Sequence, residues 1–424
     1  MAERIIGAVT QRASPDRAGA IAADDGARPE PWHHPSVKNG GNTLSGALEH
    51  LLVLDLTSHL SGPYCAMLLA DHGAEVIKIE PPKGDSARGM PPFVNGESAP
   101  FMTWNRNKRS IVLDLKQQPD KDALLNLIDR ADILVENYRP GVLARLGLGW
   151  DVLHARNKRL ILASISGFGQ TGPYAARGGF DLITQAMSGL MSTNGPADGP
   201  PHRLPIAISD VTAGMFLAFG VLAAVEARHR TGEGQHVETS LLESATSLAV
   251  YESAHYFATG TRPERLGQAH RGSSPYQCFQ TTDGYIAIGA SQQRFFVQLC
   301  DLTGMPHLVA DPRFVSNAER VRHNDALIAL LAEKLCRHSS AHWLSALETL
   351  GIPAGPVLHY DEVYTDAQIL ARDMVVETNH PVTGPFRTMG VTVKLSATPG
   401  SIRRPAPRLG EHTEEILNEW KAAQ

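Results

Sequence analysis

Between residues 51 and 165 the chain repeats one pattern: a short apolar run, a turn, then an amphipathic stretch. The runs at 51–56, 75–80, 110–115, 133–136 and 160–165 lack the polar alternation of a half-exposed strand. Helical patterns lie among them, at 63–72, which opens on Pro63, and at 119–130, where Leu124, Leu125, Leu127 and Ile128 share one face. Strands apolar on both sides and separated by helices predict an α/β fold with a parallel sheet covered on both faces.

Beyond residue 165 the character changes. Helical patterns are expected at 181–191 and 211–230, a short strand at 235–238 after Thr231-Gly-Glu-Gly234, and a helix from Leu241. Residues 260–275 read as loop. Strands at 276–279 and 285–289 flank Thr281-Thr-Asp-Gly284, a hairpin signal. Helices follow at 292–303, 325–337 and 340–350, and the chain ends in strand-like pieces and a helix at 414–421. Residues 1–45, rich in Ala, Gly, Pro and charge, are expected to form a disordered extension.

Charge narrows the partners. Lys plus Arg number 39 against 44 for Asp plus Glu, so the net charge of −5 argues against a nucleic-acid or anionic-membrane binder. The 4 cysteines form no C-x-x-C pair, which fits a reducing cytoplasm. Acidic residues near the start (Glu3, Asp16, Asp24, Asp25) argue against a secretory signal or a mitochondrial presequence. The longest near-apolar stretch, 215–225, reads as too short to span a bilayer.

Three motifs bear on chemistry. Gly167-Phe-Gly-Gln-Thr-Gly172 matches G-x-G-x-x-G after a strand, but Pro173, Gly178 and Gly179 oppose the helix that a dinucleotide site requires. Its glycines are expected to shape a close turn. Asn105-Arg-Asn-Lys-Arg109 carries three cations and reads either as a solvated basic loop or as a phosphate site. Asp210, ahead of an apolar helical pattern, reads either as an N-cap or as a carboxylate nucleophile held at a helix mouth. No H-E-x-x-H, His/carboxylate cluster or G-x-S-x-G is present, so neither a metal site nor a serine triad is expected.

Taken together, several segments resemble the class III coenzyme A transferases, the family of formyl-CoA transferase and carnitine-CoA transferase. They include Val53-Leu-Asp-Leu-Thr57, Ser61-Gly-Pro63, Leu68-Leu-Ala-Asp-His-Gly-Ala-Glu75 and Asn105-Arg-Asn-Lys-Arg-Ser110. Val135-Glu-Asn-Tyr-Arg-Pro-Gly141, Ser164-Ile-Ser-Gly-Phe-Gly-Gln-Thr-Gly-Pro173, Thr231-Gly-Glu-Gly-Gln235, Ile352-Pro-Ala-Gly-Pro-Val357 and Leu409-Gly-Glu-His-Thr413 continue the series in the family's order.

The resemblance implies a Rossmann-like large domain with a parallel sheet plus a smaller α+β domain, in an interlocked homodimer. The implied boundaries are 46–240 for the large domain, 241–264 for a linker helix, 265–365 for the small domain and 366–424 for the return, with 375–424 completing the large domain. It implies a cytoplasmic enzyme that takes coenzyme A and acyl-CoA as substrates, needs no permanently bound cofactor, and passes CoA to a small carboxylic acid. Asp210 is the implied nucleophile. The implied CoA contacts are Leu60, Ser61, Lys108, Arg109, Asn137, Tyr138, Arg145, Ser166 and Gly167, with backbone N–H groups after Ser166 facing the tetrahedral oxyanions.

The chain departs from formyl-CoA transferase at Pro81, where that enzyme has a CoA-contacting Arg; Lys83 or Arg88 is the expected substitute. It also lacks a tetraglycine lid at 267–275. The α-methylacyl-CoA racemases are a rival branch, but they carry Gly-His-Asp where this chain has Gly179-Phe-Asp181. A non-catalytic CoA-binding homologue is a further alternative, and such a protein is expected to lose the acid at 210.

Overall fold

The structure is a computed structural model and describes residues 46–422. The expected extension at 1–45 lies outside the described residues. The main sheet has six parallel strands: β1 (Leu52–Asp55), β2 (Glu75–Glu80), β3 (Lys108–Val112), β4 (Ile133–Glu136), β5 (Ile161–Ser166) and β6 (His236–Ser240). Their order is β3-β2-β1-β4-β5-β6, so the sheet is doubly wound and reverses direction between β1 and β4.

Two helices cover one face, α1 (Ser61–Asp71) and the long α4 (Ile208–Thr231). Their apolar sides meet Val53, Ile133, Val135, Ile161 and Ala163 through Cys65, Leu69, Leu217 and Val221. The opposite face carries α2 (Gln118–Ile128), which buries Leu124, Leu127 and Ile128. A short helix α3 (Asp181–Met187) leads towards α4.

The structure corrects two expectations here. The apolar run at 215–225 belongs to a helix of 24 residues, long and apolar enough by length and composition to cross a membrane. Half of its most apolar window is buried inside the fold. The third strand begins at Lys108, earlier than the apolar run at 110–115, because its first two side chains are cations that find buried carboxylates.

A separate three-stranded antiparallel sheet comprises β7 (Tyr276–Gln280), β8 (Tyr285–Gly289) and β9 (Ala354–Pro356). Ile286, Ile288, Phe296, Leu299, Leu327, Leu331, Trp343 and Leu347 form its core with the helices between 293 and 349. The chain then returns through the hairpin Val375–His380/Gly384–Met389 to a last helix, Thr413–Ala422. That helix docks on β3 and α2: Glu415 and Glu419 pair with Arg109, and the Trp420 indole N–H donates to the Asn126 carbonyl at 2.9 Å.

Candidate active site

In an open parallel sheet the crevice at the reversal point, beyond the carboxyl ends of the strands, is the expected ligand site. Here it lies between the turn after β1 and the loop after β4. Asn137 clamps the two together: its Oδ1 accepts from the Ser58 N–H at 3.0 Å, and its Nδ2 donates to the Ser58 carbonyl at 2.8 Å. His59 adopts a left-handed φ of 65°, and Leu60 is the N-cap of α1 without a side-chain capping bond. Beyond Asn137, Tyr138 donates its backbone N–H to the Glu136 carboxyl at 2.8 Å. Burial raises the pKa of Glu136 and of the Tyr138 phenol. Arg145, at the end of the short helix that follows, is exposed.

The start of α4 reaches the same place. Helix α4 opens three residues earlier than the apolar pattern suggests, with Ala207 as N-cap, so Asp210 sits in the first turn and not at the cap. The capping expectation for Asp210 is thereby corrected. The Ser209 N–H is instead satisfied by Asp181 of α3 at 2.9 Å. Gln185 fixes that carboxylate through a 2.7 Å bond to its second oxygen and also binds the Leu204 and Ile206 carbonyls.

The Asp210 carboxyl is therefore left for other work. Burial, followed by the neighbouring Asp181 charge, raises its pKa to about 6, while a hydrogen bond from the Ser61 hydroxyl pulls it down. The Ser61 contact depends on Gly214 of α4. A Cβ at 214 would stand 2.7 Å from the Ser61 carbonyl oxygen, so only glycine lets α1 and α4 meet at this depth.

Lys108 lies beneath the turn after β1, and Arg109 lies at the last helix. The Lys108 ammonium is fully buried and holds the Asp55 carboxylate, the Pro63 carbonyl and the Asn105 side-chain oxygen, each at 2.9 Å. Arg109 is held by Glu75, Glu415 and Glu419. Arg106 pairs with Asp71 at 2.7 Å and reaches the Met389 carbonyl. Asn107 accepts from the backbone N–H groups of Arg403 and Arg404 and donates to the Ser401 carbonyl. The basic segment is thus neither a solvated loop nor an open phosphate site. Arg106, Asn107 and Arg109 fasten the returning chain to the sheet, while Lys108 ties β1 to the first turn of α1; buried cations stay ionised only beside buried carboxylates and carbonyls.

The remaining expectations divide. Arg88 is committed to Glu80 through two 2.7 Å bonds and covers the Phe101 ring, whereas Lys83 is exposed. Ser166 is buried at the end of β5 and accepts the Gly169 N–H at 2.9 Å, and the Gln170 N–H goes to Glu238. Those two N–H groups are therefore not aimed at an oxyanion. Gly167 meets Gly179 so closely that a Cβ on it would lie 2.7 Å from the Gly179 Cα. No helix opens at this glycine motif, in keeping with a close turn. Asp181 and Glu136 are the site residues that the sequence did not single out for these roles. Among the described residues no cluster of His, Cys, Asp and Glu could hold a metal ion.

The pattern of this chain matches the model of CoA-transferase family III over residues 48–413. The chain belongs to that family. It is 40% identical over 382 residues to an acetyl-CoA:oxalate CoA-transferase of Acetobacter aceti, covering 89% of this chain and 97% of the relative. It is 39% identical over 374 residues to the succinyl-CoA:glutarate CoA-transferase of Mus musculus, covering 88% and 86%. A crystal structure of a CAIB/BAIF family protein from Brucella suis superposes with a TM-score of 0.80 at 34% identity, covering 89% of this chain and 100% of that one. The family III chain described here is accordingly an enzyme of the CoA-transferase type, and the crevice lined by Leu60, Ser61, Asn137, Tyr138 and Asp210 is its candidate active site.

Proposed function

We propose that this chain moves CoA from an acyl-CoA thioester to a small carboxylic acid, with Asp210 as the nucleophile. The Asp210 carboxylate attacks the thioester carbonyl, the C–S bond breaks, and CoA thiolate leaves a mixed anhydride behind. The thiolate attacks the aspartyl carbonyl of that anhydride, expels the donor carboxylate and forms an aspartyl-CoA thioester. The acceptor carboxylate attacks this thioester and releases the thiolate again. The thiolate takes up the acceptor acyl group, and Asp210 is regenerated as a carboxylate. Each step exchanges an acyl group between activated species.

The observation that carries this reading is the Asp210 carboxyl itself, released from capping by Asp181 and held by Ser61 at the reversal-point crevice. A carboxylate that is poorly solvated is a better nucleophile than one in water, and about 6 remains low enough for ionisation at neutral pH. Leu60, Ser61, Asn137, Tyr138 and Arg145 are the CoA contacts this reading retains, with exposed Arg145 and Lys83 offered to phosphate. The names of the relatives support a short acyl donor and a small dicarboxylate acceptor. A racemase-like role has less support, because the side chain preceding Asp181 is Phe180, which cannot carry a proton.

We further propose that the working form is an interlocked homodimer in the cytoplasm, with 46–240 and 375–424 forming the large domain and 265–365 the small one. Large apolar side chains left in water, such as Phe219 (73% exposed), Tyr251 (79%) and Phe257 (82%), favour coverage by a second copy. Four free cysteines fit a reducing compartment.

The test is CoA exchange over a panel of acyl-CoAs and carboxylic acids, read by mass spectrometry, for the wild type and Asp210→Ala. Turnover undiminished in the variant would end the nucleophile assignment. Appreciable α-proton exchange of a 2-methylacyl-CoA in deuterated water would replace transfer by racemisation.

A further inference from the structure

We propose that Lys108 is a positioning residue for the nucleophile, acting with Asp55 on the turn that carries Ser61. The inference rests on Asp210 being the nucleophile. Four fully or nearly fully buried charged side chains grip this turn from beneath. Asp55 accepts the Thr57 N–H at 2.9 Å and the Thr57 hydroxyl. Lys78 donates to the Thr57 carbonyl at 2.9 Å and pairs with Asp85 at 2.9 Å. Asp85 accepts the His59 N–H at 3.1 Å. Lys108 joins the Asp55 carboxylate to the Pro63 carbonyl, on the far side of Ser61.

The backbone on both sides of Ser61 is thus anchored, at 57, 59 and 63. The turn is also filled: a Cβ at Gly62 would lie 2.3 Å from the Thr57 methyl, and the Ser61 carbonyl is pressed against Gly214. Any slackening of the Asp55–Lys108 pair therefore moves the Ser61 hydroxyl relative to Asp210. Buried ion pairs are no more stabilising than well-packed apolar side chains of the same volume, so stability alone does not account for this cluster. Fixing a catalytic carboxyl to a fraction of an ångström does.

The experiment is a double-mutant cycle of Lys108→Met and Ser61→Ala, with Asp210→Asn as control. The donors are succinyl-CoA and 3′-dephospho-succinyl-CoA, and kcat and KM are measured separately. Lys108→Met is expected to lower kcat roughly 10- to 100-fold, the scale of a small misplacement of a reacting group. KM for succinyl-CoA is expected to stay within about twofold, and the double variant to fall no further than the weaker single variant by more than about twofold. The kcat loss is expected to be equal with the dephospho donor.

A cycle in which the two losses multiply would overturn the proposal. So would a loss confined to KM that vanishes with the dephospho donor, the mark of a phosphate contact. If Lys108→Met does not fold, Thr57→Val takes its place, since it removes one hydroxyl bond to Asp55 and no charge. Turnover retained by Asp210→Asn would refute the nucleophile reading itself. A multiplicative cycle beside an inactive Asp210→Asn refutes only the role of Lys108.

Discussion

Replacing Asp210 by Asn should abolish transfer and at the same time stabilise the protein at alkaline pH. The carboxyl has its pKa raised from 3.8 to about 6 by burial and by Asp181. A native pKa above the unfolded one means that the native state holds the proton more tightly, so stability falls as pH rises through the window between the two values. At 1.36 kcal/mol per pH unit this displacement corresponds to about 3 kcal/mol once both states are ionised. Water at the partly open edge of the site reduces that to about 1–3 kcal/mol. Asn has the shape of the protonated acid and never ionises. The variant should therefore match the wild type near pH 4 and exceed it by about 1–3 kcal/mol at pH 8, with the gap opening between pH 4 and 6. Urea unfolding of both proteins at a series of pH values measures the gap. A variant no more stable than the wild type at pH 8, or a gap that does not change with pH, would refute the argument that burial strains this carboxylate.

Four other outcomes are expected. In the wild type, the proposed nucleophile role of Asp210 requires its ionised form, so kcat/KM should rise with pH through about 6, and a profile flat from pH 5 to 8 contradicts that proposal. Gly214→Ala should lower kcat by roughly 10-fold or more, since its methyl meets the Ser61 carbonyl at 2.7 Å; steady-state kinetics with unchanged kcat would show that the α1–α4 contact does not set the site. Arg145→Ala should raise KM for acyl-CoA several-fold and leave kcat nearly unchanged, and the same KM at high salt in both proteins would confirm an electrostatic contact. Trp343→Ala empties the core of the three-stranded sheet and leaves the Leu335 carbonyl without its indole donor, so unfolding by urea should show a loss of about 3–5 kcal/mol.

The alternation of apolar runs and helices was enough to read the doubly wound sheet, because parallel strands buried on both faces leave that mark in any sequence. The third strand was displaced in that reading for a physical reason. Lys108 and Arg109 look like loop residues until their partners are known, and those partners are Asp55, Glu75, Glu415 and Glu419, distant in the chain. A local pattern cannot report a charge neutralised by a residue on another strand or on the last helix.

Asp210 shows the same limit from the other side. Its position before an apolar run suggested an N-cap, a role that uses the carboxylate up. The fold gives the capping bond to Asp181, a residue of the preceding helix, and so leaves a second acid a residue away from the one it caps. Burial, and then the Asp181 charge beside it, raises the cost of ionising Asp210, while the Asp181 carboxylate itself is bonded to the Ser209 N–H and to Gln185. What distinguishes a nucleophile from a cap at this position is thus the presence of another group that does the capping. No inspection of residues 207–214 alone reveals that group, whereas the contact between α3 and the start of α4 makes it plain.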